Sequence, residues 1–217
     1  MYIDLVKYKS MPRDYFARMN PEKPEVMKIA KEYGKDFWDG DRKYGYGGYS
    51  YDGRWKSVAE RIVKQYDLKD YYRILDIGCG KGYLLYELKQ INPTFQVYGL
   101  EQSRYAIDNA KPEVKDRIEW GIAERLPWTQ NYMDMVISLG TLYNLPIYDL
   151  KDAIQEIERV GKLNRKYITM ESFRNDKERI NLFCWALTAE SYFSNKEWEW
   201  LLKEFGYTGD YSLFFFE

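Results

Sequence analysis

From residue 73 onward the chain switches repeatedly between short apolar runs and apolar stripes of helical period. Apolar runs of four to eight residues read as buried strands; apolar residues recurring every three or four positions read as helices. RILDIG (73–78) is predicted to be a buried strand ending in glycine, followed by a helix over 82–91 with Leu84, Leu85 and Leu88 inward. FQVYGLE (95–101) predicts a second strand, 104–110 a second helix, RIEWGI (117–122) a third strand and MDMVISLG (133–140) a fourth. A helix over 150–160 carries Ile154 and Ile157, with Gly161 as its C′ stop. KYITMESF (166–173) is a fifth strand, 196–205 a helix ending at Gly206, and 211–216 a last strand. This alternation predicts an α/β fold: a doubly wound, mostly parallel sheet with right-handed crossovers, binding ligands at the carboxyl ends of its strands.

The first 55 residues have a different texture. Residues 1–35 are polar and suit one or two short helices, the better near 25–33, interrupted by Pro12, Pro21 and Pro24. Residues 36–55, DFWDGDRKYGYGGYSYDGRW, hold seven aromatics and five glycines, a mixture that fits neither helix nor strand. Residues 55–66 then read as a helix with Val58, Ala59, Ile62 and Val63 on one face. The expected organisation is an N-terminal extension with an aromatic, glycine-rich lid (1–55) and one compact unit (56–217).

Charge and composition remove several kinds of chemistry. Lys plus Arg is 33 and Asp plus Glu is 34, so the basic surplus of a non-specific nucleic-acid binder is missing. There is no histidine, which excludes Ser-His-Asp and Cys-His nucleophiles and the usual zinc sites. Cys79 and Cys184 cannot make a four-cysteine site, and neither a metal site nor a disulfide is expected. No apolar run approaches the roughly 18–20 residues of a spanning helix. The first residues lack a secretion signal, so a cytoplasmic location is expected.

Leu75-Asp76-Ile77-Gly78-Cys79-Gly80-Lys81-Gly82 places a GxGxG turn between a strand and a helix. Such glycines admit positive φ and close approach of a ligand, and the helix N-terminus favours a negative group. Asp76 is placed to hold a cationic group, so the pair suits an amino acid. The alternative is a tight turn whose glycines serve packing. Glu101 ends the second strand 23 residues after Gly78, a spacing at which a carboxylate takes ribose hydroxyls. The third strand ends in Gly121-Ile122-Ala123-Glu124, where an adenine edge could meet backbone amides and Glu124, and Leu139 and Gly140 form the fourth strand's tip. Solvated strand-end charges are the bland reading of both carboxylates.

In this order the motifs resemble those of the class I S-adenosylmethionine-dependent methyltransferases, over residues 56–173 and on through the C-terminal helix. LDIGCGKG looks like their first motif, VYGLEQS their ribose-binding strand end, GIAERLPW their adenine-side motif, and MDMVISLGTLYNL their fourth strand and loop. The resemblance implies S-adenosylmethionine as cofactor and S-adenosylhomocysteine as product. It places Gly78 and Gly80, with Asp76 and Cys79, near the methionine part, Glu101 and Gln102 at the ribose, Ala123 and Glu124 at the adenine, and Leu139 in the same wall. Two departures stand out. Ile122 occupies a position commonly acidic in relatives, and Tyr143-Asn144 stands where they often carry histidine. A Rossmann oxidoreductase is the nearest competitor, but its GxGxxG fingerprint has the third glycine one position later.

Residues 44–55 read as a lid whose Tyr46 and Tyr49 rings suit a sulfonium cation and whose Arg54 could bind an anion. A packing coil, or a platform for stacked bases, are the other readings. Without histidine, a base that accepts the acceptor's proton must be a carboxylate, tyrosine or lysine, if one is used at all. Glu171 and Tyr143 are the leading candidates, with Asn144 beside Tyr143 at the acceptor; Asp39, Asp41 and Asp52 lie in the lid, and Glu171 could instead pair with Arg174. Residues 180–195, INLFCWALTAESYFSN, could wall the acceptor pocket. The expected function is methyl transfer to a small-molecule acceptor, such as a sugar or surface-glycan precursor, by a monomer or homodimer. The alternatives are an RNA methyltransferase and a non-catalytic module that binds S-adenosylmethionine or a partner.

Overall fold

In the computed structural model, which describes residues 1–7 and 13–217, six strands form one sheet of order β3-β2-β1-β4-β5-β6. They are β1 (Arg73–Ile77), β2 (Gln96–Glu101), β3 (Ile118–Trp120), β4 (Met135–Leu139), β5 (Lys166–Ser172) and β6 (Asp210–Phe215). Every neighbouring pair is parallel, so the sheet is wholly parallel rather than mostly so. The order reverses between β1 and β4, and a parallel sheet opens a ligand crevice beyond the strand ends at such a switch point.

Helices cover both faces. On one lie α3 (Lys56–Gln65) and α4 (Tyr83–Ile91), whose Val58, Ile62, Leu85 and Leu88 pack on Ile74 and Val97. On the other, α6 (Ile147–Val160) and α8 (Asn195–Glu204) bring Ile154, Ile157, Trp198 and Leu201 against Leu75, Val136 and Ile168. Strands β1 and β4 are buried along nearly their whole length. Burial on both faces is why they are continuous apolar runs in the sequence.

The remaining helices are α1 (Lys23–Ala30), α2 (Lys35–Asp39), α5 (Arg104–Asp108) and α7 (Asp176–Trp185). Of these, α2 corrects the sequence reading, and α7 adds a helix where it assigned no element. Residues 36–39, taken as neither helix nor strand, lie in α2, which buries Trp38. Residues 180–185 belong to α7, started by the Asn175 side chain accepting from the amide of Glu178. Pro24 sits in the first turn of α1, where the missing amide hydrogen costs nothing, whereas Pro12 lies outside the described residues. Gly161 ends α6 with φ −81° and is not a left-handed stop. A Cβ there would come within 2.8 Å of the Lys166 side chain. Residues 206–209 add no strand, so β6 pairs directly with β5, and its outer side meets Tyr2 through a parallel bridge.

Helix α8 opens with a capping box: the Ser194 hydroxyl accepts from the Glu197 amide, and the Glu197 carboxylate accepts from the Ser194 amide at 2.7 Å. Replacing Ser194 with Ala is expected to lower unfolding free energy by about 1 kcal/mol. Urea denaturation should show a lower midpoint with an unchanged slope.

Candidate active site

Beyond the strand ends lies a cavity of about 1030 Å³, lined by the tips of β1, β2, β4 and β5 and by the N-terminal extension. The glycine turn forms its floor. Gly78, Gly80 and Gly82 have φ of 74°, 55° and 72°, in the left-handed region. The amides of Gly78 and Cys79 donate to the Leu100 carbonyl at 2.8 and 3.2 Å, which docks the turn on β2. Space is tight above it: a Cβ on Gly78 would lie 2.0 Å from Thr141 Oγ1, and one on Gly80 2.9 Å from the Trp38 ring. These glycines therefore serve packing as well as exposing the turn.

Glu101, 5% exposed, accepts from the amides of Gly80 at 2.8 Å and Ser103 at 2.7 Å. Burial raises its pKa, and these backbone bonds partly offset the rise. Asp76 is 4% exposed; burial and the charge of Glu101 push its carboxyl well above the ordinary range. Gln102, Ala123 and Glu124 line the same cavity. Glu124 Oε2 is buried and has no hydrogen-bond partner among the described residues. Burial raises the Glu124 pKa, with added repulsion from Asp149 and Asp152. An unpartnered buried acceptor is costly unless a ligand donor meets it. Three carboxyl groups and a glycine turn thus fit an ammonium, a ribose and an exocyclic amine in sequence.

The extension covers this floor. Trp38 Nε1 donates to Ser103 Oγ at 2.9 Å, and the Trp38 and Tyr46 rings stack at 5.3 Å. Tyr49 stacks on Tyr83 with centroids 5.1 Å apart, and its hydroxyl accepts from Trp55 Nε1 at 3.0 Å. Lys81, from the turn, donates to both Asp39 oxygens at 2.8 and 2.7 Å and to the Tyr49 carbonyl at 2.8 Å. Tyr105 and the Tyr49 amide also donate to Asp39, which lowers its pKa despite the cost of burial. Asp39 is thus a structural anchor that sequence reasoning grouped with the bases; its partner lies 42 residues away, a pairing no local pattern reveals. Arg54 lines the cavity but is engaged by Asp52, two residues before it. That exposed pair holds the Asp52 pKa below the ordinary value. Asp41 is exposed and accepts from the Lys43 amide.

Glu171 and Tyr143 are brought together at the tips of β5 and β4. Burial raises the Glu171 pKa to about 7, while the Tyr143 hydroxyl bonded to it and the charge of Arg13 pull the other way. Arg174 does not pair with Glu171; it goes to Glu178 and Glu217. Trp198 Nε1 donates to the Glu171 carbonyl at 2.9 Å, fixing the strand at this point. The Asn144 amide is shared between the Gly140 carbonyl and the Thr188 hydroxyl, at 3.3 and 2.8 Å, so it ties two cavity loops together. Leu139 lines the cavity, as do Trp185 to Ala189, from the segment expected to wall it. No group of His, Cys, Asp and Glu able to hold a metal ion occurs among the described residues. Nor is any helix among them long and apolar enough to cross a membrane.

The methyltransferase-domain family matches residues 68–206. Over 157 residues the chain is 27% identical to malonyl-(acyl-carrier protein) O-methyltransferase of Priestia megaterium, covering 65% of this chain and 57% of that protein. It is 28% identical over 103 residues to tRNA U34 carboxymethyltransferase of Nautilia profundicola, covering 44% and 33%. The chain spans about half the length of the curated relatives it matches. A SAM-dependent methyltransferase structure from Methanosarcina mazei superimposes with a TM-score of 0.53 at 22% identity, over 66% of this chain and 82% of that one. That likeness shows a shared fold.

The raised pKa of Glu171 has a sign that can be checked. Between an ordinary glutamate pKa near 4.5 and about 7, the folded state binds the extra proton, so stability falls as pH rises through this window. Urea midpoints at pH 5 and pH 8 are expected to drop more for the native chain than for Glu171→Gln. Equal drops would place the Glu171 carboxylate in a more hydrated setting.

Proposed function

The chain belongs to the methyltransferase-domain family of the class I S-adenosylmethionine-dependent superfamily, and on that premise we propose that it transfers a methyl group to a small-molecule acceptor. The observation that carries this reading is the convergence of Asp76, Glu101 and Glu124, from three successive strand ends, on one cavity that also holds Glu171 and Tyr143. When bound, S-adenosylmethionine supplies an electrophilic methyl on a sulfonium. Asp76 would hold the ammonium of its methionine part, beside Gly78, Cys79 and Gly80. Glu101, with Gln102 next to it, would accept from the ribose hydroxyls through lone pairs its backbone bonds leave free. The orphaned oxygen of Glu124 would accept from the adenine amine beside Ala123, taking the part that an acidic residue at position 122 would otherwise play, and Leu139 would complete the wall.

The chain's own residues then do three things. Tyr46, Tyr49 and Trp38 cover the floor and exclude water, and their ring faces favour a cation beneath them. The cavity walls orient the acceptor, and orientation supplies much of the acceleration in a direct displacement. Glu171, with a pKa near the ambient pH and its carboxylate form steadied by the Tyr143 hydroxyl, accepts the proton that an acceptor hydroxyl loses as its oxygen takes the methyl group. A cavity of about 1030 Å³ suits a nucleoside donor with a small acceptor, a sugar or a glycan precursor among the candidates. The near-neutral overall charge favours such an acceptor over RNA.

Titration calorimetry with S-adenosylhomocysteine tests the cofactor assignment. Glu101→Ala is expected to weaken binding by about 1–3 kcal/mol through lost charged hydrogen bonds. Unchanged affinity would contradict the ribose assignment. Incubation of cell extract with methyl-labelled donor should label a small-molecule fraction; label lost on ribonuclease treatment would instead identify an RNA acceptor, and no label would favour a binding module.

A further inference from the structure

The cavity lining is electrically divided. The strand-tip wall carries Asp76, Glu101 and Glu124, whereas the wall built from the N-terminal extension and the end of α7 carries Arg13, Arg18 and Arg42. These three guanidinium groups gather on one ring: their central carbons lie 4.8, 3.9 and 5.2 Å from the Trp185 centroid. Arg13 also lies 5.6 Å from the Phe214 ring centroid. The cluster is held by rings and backbone oxygens. Arg18 donates to the carbonyls of Trp185 and Arg42, each at 3.1 Å, and Arg42 donates to the carbonyl of Gly45. None of the three forms an ion pair among the described residues.

Like charges gathered this way repel. Burial and the charges of Arg42 and Arg13 bring the Arg18 pKa down to about 10. Burial and Arg13 likewise lower that of Arg42. A carbonyl offers only a partial charge, so the guanidinium groups keep most of their capacity to bind an anion. Their planar forks match the geometry of a phosphate or carboxylate. We propose that Arg13, Arg18 and Arg42 form an oxyanion subsite that holds the acceptor by a phosphate-ester or carboxylate group while its hydroxyl faces Glu171 and Tyr143. This rests on the methyltransferase reading of the same cavity, and it narrows the acceptor from any small molecule to an acidic one. The cluster lines a cavity instead of forming a basic stripe, and the chain as a whole has a net charge of -1, which favours a small anion over a polynucleotide.

Calorimetry on the full chain separates the two claims. The first titration uses S-adenosylhomocysteine; absence of binding would overturn the methyltransferase reading and this inference with it. With that ligand saturating, inorganic phosphate and acetate are the probes. Saturable binding of at least one is expected, weakened tenfold or more in Arg13→Gln and in Arg18→Gln, with affinity for S-adenosylhomocysteine unchanged. Tighter binding of phosphate would identify a phosphate ester, and tighter binding of acetate a carboxylate. Arg18 bridges two carbonyls and its variant could fail to fold; Arg13, which forms no hydrogen bond with the described residues, then carries the test alone. S-adenosylhomocysteine binding without saturable binding of either anion, or anion binding indifferent to Arg13→Gln, would overturn the subsite. So would a short oligoribonucleotide that binds more tightly than phosphate and depends on Arg13, which would assign the wall to RNA.

Discussion

The carboxylate of Glu101 is the node on which the arrangement depends. One oxygen holds the Gly80 amide and the other the Ser103 amide, so the glycine turn and the end of β2 are a single bonded unit. Ser103 extends that unit: its hydroxyl accepts from the Ala106 amide, capping α5, and from Trp38 Nε1, which fastens the N-terminal extension. Buried charge is tolerated here because backbone amides surround it, and a satisfied buried network fixes geometry more strictly than apolar contact does. Turn, strand end, helix start and covering segment are therefore positioned together.

Around that node the molecule divides its electrostatics by source. The sheet contributes acids at its strand ends, where a parallel architecture opens its crevice. The extension contributes guanidinium groups, gathered on the Trp185 ring at the end of α7. Glu171 lies where the two influences meet, raised by burial and restrained by Tyr143 and Arg13. A carboxyl raised to about 7 titrates near neutral pH, the range in which an unperturbed histidine would. The fold alone does not supply this; it is the work of particular side chains placed on it.

Much of this was legible in the sequence, and the misses have physical causes. Strands β1, β2, β4 and β5 were readable because burial leaves an apolar run. The third strand was read too long, since only Ile118 of its three residues is buried. Helix α2 was hidden by the glycines after it: what makes it a helix is Trp38 packing over Gly80, a contact between distant residues. Helix α7 shows no one-sided stripe, since Leu182 and Cys184 are buried while Ile180 and Phe183 are exposed. The cofactor-side candidates Asp76, Glu101 and Glu124 line one cavity, and they stand out in the sequence because each lies at a strand end in a fixed order. Arg54 lines the cavity paired with Asp52, a partner visible two residues away in the sequence. The arginine cluster carried no local signal, because residues 13 and 18 meet residue 42 and the Trp185 ring only in the folded chain.

The ion pair between Lys81 and Asp39 joins the glycine turn to the segment above it. That segment cannot lift without withdrawing its carboxylate from a lysine only 5% exposed. The same segment is fastened by Trp38 to Ser103 and by Tyr105 to Asp39, so the cover and the turn beneath it are coupled through several bonds at once.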